Sequence, residues 1–417
     1  MTYGEDFSFK VHFSSFRKEE FMRTKALIQI FLVASVLLSI SLARAQVPPK
    51  EILVGGTISL TGRFATMVGP FKKLAESWGS LVNERGGIFV KEYNKKLPVR
   101  FIIYDDKSDQ ATSMKFYEKL VTDDKVHILL GPFGSFLNFA SSTVAEKYKI
   151  PMLMIEATDR KLYERGYKWS VGFIIIADHE ALQYLEMVKK ERKVKTIAMI
   201  CEDTLHATSV MSSSAAIFRE SGFDVVLTET LPAETKDFSS LVAKIKSLNP
   251  DLVFCEAFPS FEIPFFKQAL EMGLRPKEFY GGHVTKPVID SLGPAANYIT
   301  SIAFWVAGLK YPGTEDYFEV LKRTGIAWDA YMESAMRFIA YTIVQDVIEK
   351  AGSLDSEKLM DALRKQKFTS MTGPISRKPD GSGNLMLYPV QVQDSRFVPI
   401  FPPEVAEGKH IFPTPWK

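Results

Sequence analysis

The segment Ile52-Leu-Val-Gly-Gly-Thr-Ile-Ser-Leu-Thr-Gly62 is an apolar run that ends in a polar turn, which is typical of a buried β-strand. The amphipathic stretch Phe71–Asn83 follows it and predicts a helix, which Gly86-Gly87 would end. A second apolar run, Val99–Tyr104, comes next. Strand, helix and strand in this order predict a βαβ unit in a parallel sheet.

The same alternation continues along the chain. Further strands are predicted at His127–Leu130, Met152–Ile155, Thr196–Cys201, Val225–Thr230, Leu252–Glu256 and Phe279–Gly281, and further helices at Ala111–Val121, Ser135–Tyr148, Glu180–Lys190, Val210–Ser221, Phe238–Leu248 and Phe261–Met272. Near-continuous apolar strands between helices indicate parallel sheets that are covered on both faces. After Gly308 the pattern changes to a long helix over Trp328–Lys350, a short helix over Ser356–Lys365, and a turn at Pro379–Asn384 between two short strands.

The first 45 residues predict export. Met22–Lys25 is basic, Ala26–Leu42 is largely apolar, and Ala43-Arg44-Ala45 has the small-residue spacing of a cleavage site. These are the three parts of a secretory signal peptide, which we place at 22–45, with 1–21 as a dispensable or mis-annotated extension. The apolar run is short for a membrane anchor, and no cysteine follows it for lipid attachment. We therefore expect a freely diffusing periplasmic protein with no stable membrane insertion after cleavage.

Length and composition indicate the number of domains and exclude one class of function. Removing the leader leaves about 370 residues, beyond the size at which one core usually serves, so two domains are expected. The chain is 46% hydrophobic and 24% charged with a formal charge of +3, and the mature part has no basic tract. Nucleic-acid binding therefore has no electrostatic basis here.

Several short motifs resemble one known family, the type I periplasmic solute-binding proteins of the leucine/isoleucine/valine-binding class. Each motif is weak alone, but together they occur in the family's order and at matching spacing. They are the opening strand 52–62, Leu81-Val-Asn-Glu-Arg-Gly-Gly-Ile88, Asp105-Asp-Lys-Ser-Asp109, Leu130-Gly-Pro-Phe-Gly-Ser135, Lys149-Ile-Pro-Met152, Asp237-Phe-Ser-Ser240 with Asn249-Pro-Asp-Leu-Val-Phe254, Met371-Thr-Gly-Pro374, and Asp380-Gly-Ser-Gly-Asn384.

This resemblance implies an α/β fold of two doubly wound parallel-sheet lobes joined by a three-strand hinge. Lobe one would comprise 47–175 plus 308–376, and lobe two 176–307 plus 377–417. The three crossovers are expected near Phe173–Ile176, Trp305–Lys310 and Pro374–Leu387. Ligand would be trapped between the lobes by hinge closure.

Two hydroxyl residues match the family's carboxylate-binding positions. Ser135 opens a helix after the third strand, where backbone N–H groups can also face an anion. Thr158 follows the fourth strand. Simpler roles stay open for both, since Ser135 could be an N-cap and Thr158 could cap its own turn.

Other expected ligand positions depart from the family. Glu156 occupies a place where the family offers a small residue. Its carboxylate would repel an acidic ligand group or pair with a cation, or it could point away and bridge Arg160 or Lys161. His206 stands where amino-acid binders often have tyrosine, and His283 where they often have the carboxylate that holds the ligand's ammonium. Phe258 keeps the family's ring.

Two interpretations of the ligand follow. Either an amino acid is held by Glu156, or a carboxylate without an amino group is held by Ser135, Thr158 and a histidine. The second is preferred, because histidine is a poor counter-ion for ammonium. Exposed loop histidines at 206 and 283 are the simpler alternative.

Two cysteines end strands that should be neighbours in the second sheet, Cys201 and Cys255. A disulfide between them could form at the usual Cα separation of about 5–6 Å. Two buried thiols are the equal alternative.

The predicted function is capture of a small carboxylate-bearing molecule, such as an amino acid or related organic acid, and its delivery to the permease of an ABC-type importer. A monomer without cofactor or metal is expected. Enzyme motifs such as G-x-S-x-G, a P-loop or H-E-x-x-H do not occur, so catalysis is not expected. The alternative is a ligand-sensing receptor of the same fold that feeds a signalling protein.

Overall fold

A computed structural model describes residues 47–327 and 333–416. The predicted signal peptide, the segment before it and the predicted helix start at Trp328 lie outside these residues. The strands are β1 (Ile52–Ile58), β2 (Ile88–Val90), β3 (Lys95–Leu97), β4 (Val99–Asp105), β5 (Ile128–Leu130), β6 (Met152–Leu153), β7 (Ser170–Val171), β8 (Thr196–Glu202), β9 (Asp224–Leu231), β10 (Leu252–Glu256), β11 (Glu278–Gly281), β12 (Thr300–Ala303), β13 (Phe368–Ser370), β14 (Gly373–Ile375), β15 (Tyr388–Gln393) and β16 (Arg396–Pro399).

Most of the strands up to β12 are separated by α-helices, and three further helices precede the last four strands. The α-helices are α1 (Ala65–Val68), α2 (Phe71–Glu84), α3 (Gln110–Thr122), α4 (Gly134–Tyr148), α5 (Arg160–Glu164), α6 (Leu182–Glu191), α7 (Leu205–Glu220), α8 (Ser239–Leu248), α9 (Pro259–Glu271), α10 (Lys286–Leu292), α11 (Thr314–Thr324), α12 (Glu333–Ala351) and α13 (Ser356–Lys365).

The first sheet is parallel throughout, in the order β4-β1-β5-β6-β7. Its central strand is buried as the apolar run predicts, and Ile52 and Val54 are fully inaccessible to solvent. Helix α2 ends before the double glycine. Gly87 has φ +92°, and a Cβ there would lie 2.2 Å from the Leu97 carbonyl oxygen, so only glycine fits this turn.

The second sheet repeats this winding and extends it. Its parallel part has the order β9-β8-β10-β11-β12, and β15 and β16 then add an antiparallel edge beside β12. Both sheets therefore start in the middle and wind outward in two directions, which confirms the predicted doubly wound α/β fold. The β15–β16 hairpin was not predicted.

Two of the predicted crossovers lie side by side. Ile174 and Leu385 form a parallel bridge, and the Gly172 N–H donates to the Gly381 carbonyl at 2.9 Å. Helices α11 and α12, from the later part of the chain, pack against α2 of the first sheet. The division of the chain between the two lobes stays a prediction. Within the described residues, none of the helices combines the length and the apolar character that crossing a bilayer requires.

The C-terminal tail is attached to the second sheet through His410. Its Nδ1 lies 2.8 Å from Glu191 Oε2 and its Nε2 lies 3.0 Å from Glu278 Oε1. Burial alone would lower the pKa of His410, but hydrogen bonds to the two carboxylates outweigh it and raise the pKa to about 9.

Replacing His410 by glutamine should lower the free energy of unfolding by an amount on the order of 3 kcal/mol at pH 6. A pKa above the ordinary value of 6.5 means that the stabilisation is complete below pH 6.5 and is lost as the pH rises through about 9. Urea denaturation at pH 6, 7.5 and 9.5 measures this. The half-buried His179→Gln serves as control: burial lowers the pKa of His179, so this variant should not show the loss of stability at pH 6 that is expected for His410→Gln. An unchanged pH profile in His410→Gln would refute the assignment.

Candidate ligand-binding site

The loops at the carboxyl ends of the two sheets meet around two adjoining cavities. The smaller, of about 20 Å³, is lined by Glu156, Thr158, His206, Phe258 and His283, together with Glu180, Glu333 and other neighbours. The larger, of about 290 Å³, is lined by Ser135, His206 and Phe258 with Arg63, Phe64 and Phe133. The structure thus brings together all six residues that the sequence singled out for ligand binding.

Ser135 lies in the first turn of α4, and the N-cap of that helix is Phe133. The proposed N-cap role of Ser135 is therefore wrong. Its Oγ instead accepts the backbone N–H groups of Thr158 at 3.1 Å and Asp159 at 3.0 Å. Because both bonds use the oxygen's lone pairs, the hydroxyl hydrogen is left to donate to another acceptor.

Thr158 and His206 join the loops of the two sheets. Thr158 Oγ1 lies 2.7 Å from His206 Nδ1, and nearby Ser209 Oγ donates to Asp159 Oδ2 at 2.8 Å. Thr158 Oγ1 therefore contacts the other sheet's loops and does not cap the threonine's own turn. His206 on α7 and His283 after β11 are each only 7% exposed, so the alternative of solvent-exposed loop histidines is wrong.

Glu156 is held by a cation that the sequence did not identify. Its Oε2 lies 2.6 Å from Nη2 of Arg337 on α12, and both side chains are buried. Glu156 therefore pairs with Arg337 and not with Arg160 or Lys161, the alternative partners, and Arg160 pairs with Asp178. Burial raises the pKa of Glu156 to about 7, against the opposing effect of Arg337.

A group of buried ionisable side chains surrounds the two histidines. Glu256 Oε1 lies 3.5 Å from both His206 Nε2 and His283 Nδ1, and Glu180 Oε1 lies 3.7 Å from His206 Nε2. Burial lowers the pKa of His206, but the charge of Glu180 and the contact with Glu256 outweigh it and raise the pKa to about 9. Burial raises the pKa of Glu180 and Glu262. For Glu256, the histidines outweigh burial and lower the pKa.

Aromatic rings form one wall of the larger cavity. Phe64 lies edge-to-face against Phe133 and Phe258, each at a centroid distance of 5.0 Å. The Arg63 guanidinium lies 5.1 Å from the centre of the Phe64 ring, and its Nη2 lies 3.0 Å from Glu202 Oε2. This cavity can therefore take a flat apolar group beside polar hydrogen-bond donors.

The two cysteines are free, which decides the open question of a disulfide. Strands β8 and β10 are neighbours as expected, but Cys201 is in register with Glu256, and Cys255 with Ile200. The one-residue offset puts the two thiols on opposite faces of the sheet. They are two buried side chains, and Cys201 Sγ lies 3.4 Å from Thr230 Oγ1.

Two doubly wound sheets with cavities at their carboxyl ends define an α/β binding protein of two lobes. Residues 51–396 match the model of the periplasmic binding protein family, and the chain belongs to this family of solute-binding proteins.

Individual relatives agree with this assignment. The chain is 24% identical over 337 residues to the Leu/Ile/Val-binding protein homolog 7 of Brucella suis, covering 77% of this chain and 83% of that protein. It is 23% identical over 323 residues to the leucine-, isoleucine-, valine-, threonine-, and alanine-binding protein of Pseudomonas aeruginosa, covering 74% and 84%.

Solved structures show the same fold. The branched-chain amino acid transporter substrate binding protein of Streptococcus pneumoniae, in complex with isoleucine, matches with a TM-score of 0.74 at 20% identity, covering 84% of this chain and 98% of that one. A solute binding protein of an ABC transporter from R. palustris, in complex with 4-hydroxybenzoate, matches with a TM-score of 0.73 at 21% identity, covering 84% and 95%.

Proposed function

We propose that this protein is an exported, periplasmic receptor of an ABC-type importer. It captures a small carboxylate-bearing molecule between its two sheets by hinge closure and delivers it to the membrane permease. The observation that carries this proposal is the meeting of Ser135, at the start of α4, with His206 and Phe258 of the second sheet around one cavity. Donors from one sheet and rings from the other suit a ligand with an acidic end and an apolar body.

The site favours an acid without an amino group. The amino-acid interpretation depends on Glu156 as the partner of the ligand's ammonium, but Arg337 already occupies that carboxylate at 2.6 Å. The rings of Phe64, Phe133 and Phe258 suit an aromatic body, and a similar structure holds 4-hydroxybenzoate. We therefore place aromatic acids first among the ligand classes.

A thermal-shift screen of benzoates, branched-chain amino acids, dicarboxylates and sugars tests this ligand class. Aromatic acids should raise the melting temperature, since ligand at 100 times its Kd stabilises by about 2.7 kcal/mol. Ser135→Ala should weaken binding of the active acid by roughly 10- to 100-fold, because a hydrogen bond to a charged group contributes about 1.5–3 kcal/mol.

Ser213→Ala is the matched control for this variant, because the Ser213 hydroxyl bonds only carbonyls of its own helix in the part of the chain described. Shifts with sugars alone would contradict the carboxylate proposal. Loss of uptake of the acid on gene deletion would support delivery to an importer. Retained uptake with a lost transcriptional response would instead support the sensing alternative.

A further inference from the structure

Three metal-binding side chains converge beside the smaller cavity. His206 lies in the first turn of α7, the helix after β8; Glu256 ends β10, and His283 follows β11. Strands β8, β10 and β11 are consecutive in the sheet, so their carboxyl ends bring these residues together. One ligand atom from each lies within 4.8 Å of the others. They are far apart in the sequence, and for that reason no spacing motif revealed them.

Apart from contacts of 3.5–3.7 Å with one another and with Glu180, the same atoms have no hydrogen-bond partner among residues 47–327 and 333–416. These are His206 Nε2, His283 Nδ1 and both carboxylate oxygens of Glu256. Glu256 is completely buried, and the two histidines are each 7% exposed. A buried polar atom that makes no hydrogen bond destabilises the folded protein, and more so when it is charged. A cation placed among these atoms would satisfy all of them at once.

We propose that His206, Glu256 and His283 form a binding site for a divalent transition metal of the zinc class. Two imidazole nitrogens and one carboxylate are a ligand set that Zn²⁺ accepts, with a fourth position left open. Ligand atoms about 2.0–2.1 Å from a tetrahedral ion lie roughly 3.3 Å from one another. The two 3.5 Å distances to Glu256 Oε1 are already close to that value.

Neighbouring residues hold these ligands in suitable orientations. The 2.7 Å contact of His206 Nδ1 with Thr158 Oγ1 lets Nδ1 keep its proton and leaves Nε2 free for the metal. The His283 backbone N–H donates to Glu262 at 3.1 Å, and its ring packs on Phe258 at 4.6 Å. Glu180 lines the same small cavity and has an unpartnered oxygen, Oε2, within the described ranges. It is placed to accept a hydrogen bond from water in the fourth position.

Metal titration of the purified full chain, without a polyhistidine tag and after treatment with a chelator, tests the site. Co²⁺ should bind with one equivalent per chain and give the intense visible absorption of a tetrahedral complex, and Zn²⁺ should displace it. His206→Gln and His283→Gln should each weaken Zn²⁺ binding at least 100-fold in calorimetry. His179→Gln removes a histidine outside the group and should bind like the wild type.

Circular dichroism and melting temperature establish that each variant is folded. The wild-type Co²⁺ spectrum tests the site even if a variant does not fold. Absence of stoichiometric binding to the wild type would overturn the proposal, as would equal binding by both site variants. An octahedral Co²⁺ spectrum would also contradict it. The titration contains no organic acid, so failure of the proposed ligand class would leave its result unaffected.

Discussion

Replacing Arg337 by methionine should lower the free energy of unfolding by about 3–5 kcal/mol, because removing one partner leaves the other charge buried alone. The Arg337 and Glu156 side chains are only 2% and 5% exposed. A second contact also disappears, that of Nη1 with the Gly131 carbonyl at 3.4 Å. Urea denaturation of the ligand-free protein measures the change.

The loss should grow with pH. In the wild type the pKa of Glu156 is already about 7, above its ordinary value of 4.5. Without Arg337 it should rise further. A carboxyl group whose pKa is raised by folding stabilises fully below pH 4.5 and loses that contribution as the pH rises through the folded value. The difference between variant and wild type should therefore be larger at pH 8.5 than at pH 5.5.

Two variants separate the buried pair from a general effect of losing arginine. Glu156→Gln combined with Arg337→Met removes both charges and should recover most of the stability. Arg323→Met breaks surface pairs with Glu84 and Glu319 and should destabilise the protein far less than Arg337→Met, because exposed ion pairs contribute little to stability. Equal losses in Arg337→Met and Arg323→Met would refute the role of burial.

The sequence was sufficient to predict the fold, because the strands and helices that define it can be recognised from short segments of the chain. Apolar strands alternating with helices predict two parallel sheets, and both sheets have the expected winding. The β15–β16 hairpin was missed because its antiparallel pairing with β12 lies outside that alternation. Strand β6 is shorter than predicted, ending at Leu153, since the chain turns at Glu156 with a φ of +52°.

The sequence predicted which loops form the site, but not which other side chains contact them. Loops at the carboxyl ends of parallel strands must meet, and the resemblance to the family then singled out Ser135, Thr158, His206 and His283 on them. The side chains that contact these loops from elsewhere in the chain could not be identified from the sequence. Arg337 is 181 residues from Glu156 and lies on a helix that reads as ordinary buried structure. Glu256 looked like the last residue of a buried strand, and only the register beside β8 and β11 directs it toward the histidines.

The second large effect on stability is expected at Gly383, where two of the predicted crossovers are in contact. Gly383→Ala should destabilise the protein by about 3 kcal/mol or more, because a Cβ there would lie 2.0 Å from the backbone carbon and oxygen of Phe173. Backbone atoms cannot move aside as a side chain can. The two crossovers would have to separate, which would break the 3.0 Å bond from the Gly383 N–H to the Ile174 carbonyl.

The same substitution at Gly79 should have the opposite effect and stabilise the folded protein. Gly79 lies inside α2, and a Cβ there would find its nearest neighbour, Phe101 Cε2, at an ordinary 3.4 Å. Alanine in a helix interior is favoured over glycine by roughly 0.5–1 kcal/mol, so Gly79→Ala should be slightly more stable than the wild type. Thermal unfolding of both variants measures the contrast. Since Gly383 lies where two crossovers touch, its variant should also lose ligand affinity, whereas Gly79→Ala should keep it. Equal stability of the two variants would show that the crossovers do not require this close approach.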